Sequence, residues 1–152
     1  LKLLITVTLS LFAGAIGSLF TVSAIQEWYP ILIKPALNPP SWIFAPVWPT
    51  LYVMMGVAAF LVWQRGGELK NVALPLSLFV IQLVLNALWS IIFFGIHNPK
   101  LAFIEILLLW VAILATIISF MKISKRAGWL LVPYLLWVSF ASYLTFSIWM
   151  LN

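Results

Sequence analysis

Residues 38–52 read N-P-P-S-W-I-F-A-P-V-W-P-T-L-Y, so four prolines and two tryptophans stand at the start of a long apolar run. A soluble loop does not need such apolar neighbours. An ordinary membrane helix does not carry so many prolines near its start without a structural reason, because proline lacks a backbone N–H and restricts the backbone. We therefore interpret this stretch as the lip of a cavity from which a membrane-spanning helix begins.

The composition around this stretch is that of an integral membrane protein. Of the 152 residues, 65% are hydrophobic and 7% are charged, whereas soluble domains carry roughly 25% charged residues. A helical crossing uses about 20 residues, so we predict one transmembrane domain over residues 1–152. The chain has no cysteine, which excludes disulfides and thiolate metal sites. Its eight Lys and Arg form no basic stripe that would bind nucleic acid.

Charged and turn residues divide the sequence into five apolar blocks, each long enough to cross a bilayer. A long connection, residues 26–41, separates the first two blocks. The five blocks are 3–25, 42–64, 71–95, 101–121 and 127–151. The pattern predicts an all-α, five-helix transmembrane bundle. Six of the eight Lys and Arg fall on the side of the N-terminus. The positive-inside rule therefore predicts a cytoplasmic N-terminus, with the C-terminus and the long connection on the opposite side.

Two polar features lie inside the predicted spans. Gln82, Asn86 and Ser90 recur every four residues, so they share one helix face, and that face should point into the bundle. For Asn86 the sequence leaves helix packing and ligand contact open as alternatives. Glu105 is the only acidic residue inside a span and is a functional candidate on that ground. Its shallow position also allows pairing with Lys100, which we expect.

The nine tryptophans divide into two groups by depth. Those at the ends of blocks are typical of an interfacial belt: Trp28, Trp42, Trp63, Trp129 and Trp149. Trp48, Trp89 and Trp137 lie deeper and can converge with Asn86 beneath the long connection, whereas Trp110 is expected to face lipid or a partner subunit. A cavity walled by indoles suits a large, flat, apolar ligand. A packed aromatic core is the alternative.

The residues of the long connection and of the second, third and fifth blocks match a known pattern. The pattern comprises Trp28-Tyr29, Lys34-Pro35, Pro39-Pro40-x-Trp42, Pro46-Val47-Trp48, Leu51-Tyr52, Gln82-Leu83, Leu85-Asn86, Trp89, Phe93-Phe94-Gly95, Pro133-Tyr134-Leu135-x-Trp137 and Phe140-Ala141. With these residues, from about 27 to 149, the chain resembles the translocator protein family, also called tryptophan-rich sensory proteins.

The resemblance implies a five-helix bundle, usually a homodimer, with a pocket that binds porphyrins and other flat hydrophobic ligands beneath the first loop. It assigns ligand binding to Trp48, Asn86, Trp89, Phe93, Trp137, Ala141 and Leu144. No metal site or resident cofactor is expected, and a porphyrin would be a ligand. Cholesterol is a doubtful ligand, because Phe146 and Met150 replace two residues of the sterol-recognition pattern found in animal members.

Three functions are compatible with this resemblance. The first is a membrane receptor or sensor that binds tetrapyrroles and regulates or transports them. The second is a light- and oxygen-dependent enzyme that degrades protoporphyrin, with Trp48 and Trp137 as candidate redox partners. The third is a small-molecule transporter, for which Glu105 would have to couple protons. The cytoplasmic membrane is the default location, and a bacterial or organellar outer membrane is the alternative.

Overall fold

The computed structural model describes the backbone of residues 1–152 and all side chains except those of Ser41, Phe44, Ala45 and Leu69. Over that backbone it has no β-strand and five long helices: α1 (Lys2–Glu27), α2 (Phe44–Gly66), α3 (Leu69–Ser90), α4 (Pro99–Met121) and α5 (Lys125–Leu151). All five are long and apolar enough to cross a membrane. The prediction of an all-α bundle with five helices of membrane-spanning length is therefore confirmed, and the orientation of the termini stays a prediction.

The helix ends follow local sequence signals. Pro99 occupies the first turn of α4, where its missing N–H costs no helical hydrogen bond, and Asn98 caps that helix by accepting from Leu101 N at 3.0 Å. Ser124 caps α5 by accepting from Ala127 N at 3.3 Å. After Ser90, α3 continues into a π-helical turn, Ile91–Gly95. Two short 3₁₀ turns, Tyr29–Ile31 and Ser41–Ile43, shape the connection between α1 and α2.

The helices follow one another around the bundle in the order α1, α2, α5, α4, α3. Helix α1 packs on α2 and α3, and α5 packs on α2 and α4. The contact between α1 and α2 is close at Gly56, where a β-carbon would lie 2.5 Å from Val7 Cα. Because five antiparallel helices place the two chain ends at opposite ends of the bundle, we call the end that carries residues 28–43 the loop end.

Two clusters of buried residues stabilise this arrangement. The larger fills the bundle between α2, α3, α4 and α5 and includes Met55, Phe79, Phe120 and Tyr134, all almost fully buried. The smaller lies beneath the loop end, where Tyr29 packs with Ala24, Ile92, Phe93 and Phe94. Between α1 and the rest of the bundle lies a cavity whose wall includes members of both clusters, among them Tyr52 and Tyr29.

Candidate ligand-binding cavity

A cavity of about 450 Å³ lies between α1, α2, α3 and α5, beneath the first connection. Its walls are mainly aromatic and aliphatic, and its volume is within the usual range of small-molecule sites. Six of the seven residues that the sequence assigns to ligand binding lie on its wall: Trp48, Trp89, Phe93, Trp137, Ala141 and Leu144. Helices α2, α3 and α5, together with the π-helical turn that follows α3, thus bring these six side chains to one space.

The aromatic side chains of the wall contact one another in two groups. Trp48 of α2 meets Trp137 of α5 edge to face, with ring centroids 6.2 Å apart and an interplanar angle of 88°. Trp89 of α3 stacks on Phe93 at 5.1 Å and 12°. Edge-to-face and stacked pairs are the favourable geometries for aromatic rings. The cavity therefore offers rigid ring faces and edges to a flat ligand from two sides.

Asn86, the seventh predicted residue, does not line the cavity. It is 3% exposed, and its amide oxygen accepts a hydrogen bond from Tyr52, which does line the cavity. Its amide nitrogen donates to Tyr134 Oη at 2.8 Å, and Tyr134 in turn donates to Gln82 Oε1 at 2.7 Å. Asn86 thus holds the cavity wall in place through Tyr52. Gln82 and Asn86 share one helix face, as their spacing predicts, but the two tyrosine partners cannot be derived from that spacing.

The loop end of the cavity is closed by Tyr29. This residue is 5% exposed and lies on the cavity wall, and its hydroxyl donates to Asn38 Oδ1 at 3.0 Å. Burial raises the pKa of the Tyr29 phenol above its ordinary value of 10.0, and the hydrogen bond to Asn38 partly opposes this shift. Lys34 Nζ donates to the carbonyl oxygens of Tyr29 and Leu32, both at 3.0 Å, and lies over the Tyr29 ring.

The end of α5 also holds the connection. Asn152 donates through Nδ2 to Ile33 O at 2.9 Å and accepts from Ile33 N at 3.1 Å. These paired bonds join residues 119 positions apart. No sequence pattern predicts them, because they depend on where α5 ends relative to the connection.

The structure adds contacts for two tryptophans that the sequence analysis assigned by depth alone. Trp28, assigned to the interfacial belt, is partly buried and stacks on His97 with ring centroids 4.3 Å apart and an angle of 5°. Trp110, expected to face lipid or a partner subunit, donates through its indole N–H to Ser139 Oγ at 2.8 Å. In both cases the partner comes from a distant part of the chain, and its position depends on helix packing.

The expected pairing of Glu105 with Lys100 is wrong. Glu105 is 6% exposed, and neither carboxylate oxygen has a hydrogen-bond partner among the described atoms. Lys100 Nζ instead lies over the Trp149 ring, 6.0 Å from its centroid. Glu105 lies on the buried face of α4, which the cavity does not reach. The shallow position of Glu105, near Lys100 in the sequence, suggested the pairing. The two side chains do not meet, because Glu105 points into the bundle and Lys100 lies over Trp149.

The described wall of the cavity has no His, Asp, Glu, Lys or Arg side chain. Its polar side chains are indoles, hydroxyls and the phenols of Tyr29 and Tyr52. Among the described side chains, no group of three or more His, Asp or Glu residues could hold a metal ion. The arrangement is suited to holding a flat apolar molecule and, through its indoles, to exchanging electrons with one.

Taken together, the fold and the cavity define a class: a multi-pass membrane protein whose helices enclose an aromatic, ligand-sized space. The model of the TspO/MBR family matches residues 6–150, and the chain belongs to that family. It is 46% identical over 152 residues to the tryptophan-rich protein TspO of Chlorobaculum tepidum, covering 100% of this chain and 96% of the relative.

Other relatives are spread over archaea and animals. The tryptophan-rich protein TspO of Archaeoglobus fulgidus is 41% identical over 152 residues, covering 100% of this chain and 97% of that protein. The human translocator protein is 39% identical over 135 residues, covering 88% of this chain and 80% of that protein. The resemblance drawn from the motifs is thus confirmed over nearly the whole chain.

Proposed function

We propose that this protein is a membrane receptor or sensor that binds porphyrins and related flat hydrophobic ligands in the aromatic cavity, and that it thereby regulates or transports tetrapyrroles. One observation carries the proposal: Trp48, Trp89 and Trp137, from three different helices, line a single cavity of about 450 Å³. The names of two relatives, a tryptophan-rich sensory protein of Cereibacter sphaeroides and the human translocator protein, are consistent with sensing or transport.

The physical basis of such binding is stacking and burial of apolar surface. Burial of apolar area contributes about 25 cal/mol per Å², and aromatic contacts add specific geometry. A few polar groups would then orient the ligand. One candidate is the Trp89 indole N–H, which is buried without a hydrogen-bond partner among the described atoms. A ligand acceptor that reached this donor would satisfy it.

The test is a titration of the purified protein with protoporphyrin, followed by tryptophan emission. Binding should quench the emission with saturation, and Trp137→Ala should weaken the affinity about tenfold or more, the loss of one large aromatic contact. Trp129→Ala is the matched control, because Trp129 is 65% exposed and lies off the cavity wall. Absence of saturable quenching in the wild-type protein would refute the proposal.

A second candidate function, light- and oxygen-dependent degradation of protoporphyrin, is favoured by the pair Trp48 and Trp137. Both indoles border the cavity and are in contact with each other, so an electron lost from one can be shared with the other. Illumination of the porphyrin complex in oxygen should then yield a new absorbing product. A Trp48→Phe, Trp137→Phe double variant should still bind but form no product. If the porphyrin bleaches equally with the wild-type protein and with this variant, the reaction is photochemistry of the ligand alone and the protein is not an enzyme for it.

We extend the proposal to topology and assembly. The distribution of Lys and Arg supports a cytoplasmic N-terminus, with the cytoplasmic membrane as the default location. Homodimerisation is carried over from the family resemblance. Native mass spectrometry of the protein in lipid nanodiscs should give a mass of two chains, and a single-chain mass at all protein concentrations would contradict it.

A further inference from the structure

The cavity has an open side, and that side lies between α1 and α2. Four residues of α1 both line the cavity and are exposed: Leu11, Ala15, Ser18 and Val22. Their spacing of four, three and four residues places them on one helix face. Across from them, Pro49 of α2 also lines the cavity and is exposed. We call this opening the α1–α2 slot.

The other side of the cavity is closed. Ala141 and Leu144 of α5 line the cavity but are only 9% and 6% exposed, since α5 is covered by α2 and α4. Phe93 and Phe94, which follow α3, are likewise buried. The cavity is therefore open on the side of the α1–α2 slot and closed on the side of α5 and of Phe93 and Phe94.

The depth of the slot places it within the hydrocarbon layer. At a rise of 1.5 Å per residue, Val22 lies about 8 Å and Leu11 about 24 Å from the loop end of α1, at Glu27. The hydrocarbon core of a bilayer is about 30 Å thick. The slot therefore opens towards acyl chains over most of its length, and water has no direct access to it from the side.

At the loop end, water is kept out by Tyr29. This side chain is buried and its hydroxyl donates to Asn38, while Lys34 holds the backbone by donating to the Tyr29 carbonyl oxygen. A separate surface depression lies on its other side, bordered by Pro30, Lys34 and Pro39. The phenol ring is thus a partition between an aqueous surface and an apolar cavity whose open side faces lipid.

The slot also presents few free polar groups. Ser18 donates its hydroxyl hydrogen to Ala15 O, and Thr21 donates to Gly17 O, both at 2.8 Å within α1. These donors are satisfied by the backbone and do not need water or a ligand. What remains on this face is methyl, methylene and ring surface, which has the chemistry of an acyl chain.

From these observations we propose that an acyl chain of a bilayer phospholipid enters the α1–α2 slot and occupies the cavity when no other ligand is bound. An apolar cavity open to the hydrocarbon layer is filled more favourably by hydrocarbon than by water or by nothing, because its walls then keep their dispersion contacts. This inference does not depend on porphyrin binding. It also implies that any ligand of the cavity must displace a lipid chain.

The test uses the protein in phosphatidylcholine vesicles that contain a fraction of the same lipid with a diazirine near the middle of one acyl chain. After illumination, tandem mass spectrometry locates the adducts on α5. Trp137, Ala141 and Leu144 report on the cavity, whereas Leu136 and Tyr143, which are 65% and 43% exposed on the outside of the same helix, report on bulk lipid. We expect adducts at both sets of positions.

Variants of the slot make the test specific. Ala15→Trp and, independently, Ser18→Phe should each narrow the slot and lower the adducts at the cavity positions several-fold, with the outer positions unchanged. Leu19→Trp is the matched control, since Leu19 is 78% exposed and does not line the cavity. Adducts confined to Leu136 and Tyr143 in the wild-type protein would overturn the inference. Cavity adducts that neither slot variant lowers would also overturn it, because the chain would then enter elsewhere.

Discussion

The backbone of Gly14 in α1 packs against the ring of Tyr52 in α2, so closely that a β-carbon at position 14 would be 2.5 Å from Tyr52 Cε2. Tyr52 in turn lines the cavity and donates its hydroxyl hydrogen to Asn86. The absence of a side chain at position 14 thus allows α1 to approach α2 while Tyr52 keeps its hydrogen bond. One glycine links helix packing, the buried polar network and the cavity wall.

Gly14→Ala should therefore destabilise the protein and impair the cavity. The ring of Tyr52 must move to accommodate the methyl group, and overpacking of this kind typically costs about 1–3 kcal/mol. Thermal unfolding in detergent should show a lower midpoint than the wild type. Gly17→Ala is the matched control, since its new methyl group would meet the small Ser90 hydroxyl at 3.1 Å. Equal midpoints for the two variants would contradict this account.

Tyr134→Phe should be more destabilising than its small change in volume suggests. The Tyr134 hydroxyl accepts from Asn86 and donates to Gln82, and all three residues are buried. Its removal takes the hydrogen-bond partner from Asn86 Nδ2 and from Gln82 Oε1, at a cost of about 1–3 kcal/mol for each buried atom left unsatisfied.

Tyr143→Phe provides the comparison for this variant. Tyr143 is 43% exposed and stacks on Phe140, and no hydrogen bond of its hydroxyl is found among the described side chains. Its loss should change the unfolding midpoint little. If Tyr134→Phe and Tyr143→Phe unfold alike, the buried network contributes no net stability.

The closure of the cavity by Tyr29 should depend on pH in the alkaline range. Burial raises the pKa of this phenol above 10.0, so the neutral form is favoured when the connection is closed. The closed form is therefore fully stabilised below the ordinary pKa, and this stabilisation is lost as the pH rises through the raised pKa. The phenolate cannot donate to Asn38.

The measurement is the fluorescence anisotropy of a probe attached at Leu37→Cys, a position in the connection that is 69% exposed. Anisotropy should fall as the pH is raised above about 10, the ordinary pKa of tyrosine. The same probe in a Tyr29→Phe background should show lower anisotropy at neutral pH and lack that transition. A transition that persists unchanged in this background would assign the effect to another group.

The orientation of the bundle can be tested with single cysteines, because the chain contains none of its own. In a bacterial host with a permeabilised outer membrane, a membrane-impermeant maleimide should label Leu37→Cys in intact cells. Lys70→Cys, at the opposite end of the bundle, should be labelled only after lysis. The opposite pattern would show that the Lys and Arg count assigns the wrong side.

Glu105→Gln should leave binding of a cavity ligand unchanged, since Glu105 does not border the cavity. Its two oxygens have no partner among the described atoms, so a neutral amide of the same shape should be tolerated, with a change in unfolding free energy of about 1 kcal/mol or less. Ligand titration and thermal unfolding test both statements. Loss of dye transport in this variant alone, if the wild type transports, would favour the transporter alternative.

Much of the cavity wall could be predicted from the sequence because its residues lie at definable depths in strongly apolar helices. Trp48 follows the prolines that start α2, and Trp89 and Trp137 lie well inside their blocks, so convergence at one level was a reasonable expectation. Asn86 shows the limit of that reasoning. Its depth and helix face were evident, but Tyr52 stands between it and the cavity.

Features that depend on which side of a helix packs against which neighbour could not be predicted from the sequence. The contribution of α1 to the cavity, the pairing of Trp110 with Ser139 and the isolation of Glu105 from Lys100 all belong to this group. In a membrane protein almost every helix face is apolar, so hydrophobic periodicity carries little information about orientation.

By itself, the sequence determined the number of spans, the long first connection, the family and the depth of each tryptophan, since these follow from local hydropathy, prolines and motif spacing. Only the tertiary structure decided that Tyr29 closes the cavity, that Tyr52 and Tyr134 join Gln82 and Asn86, and that the open side of the cavity lies between α1 and α2. Such relationships arise from helix rotation and close packing between distant segments, which short-range patterns do not encode.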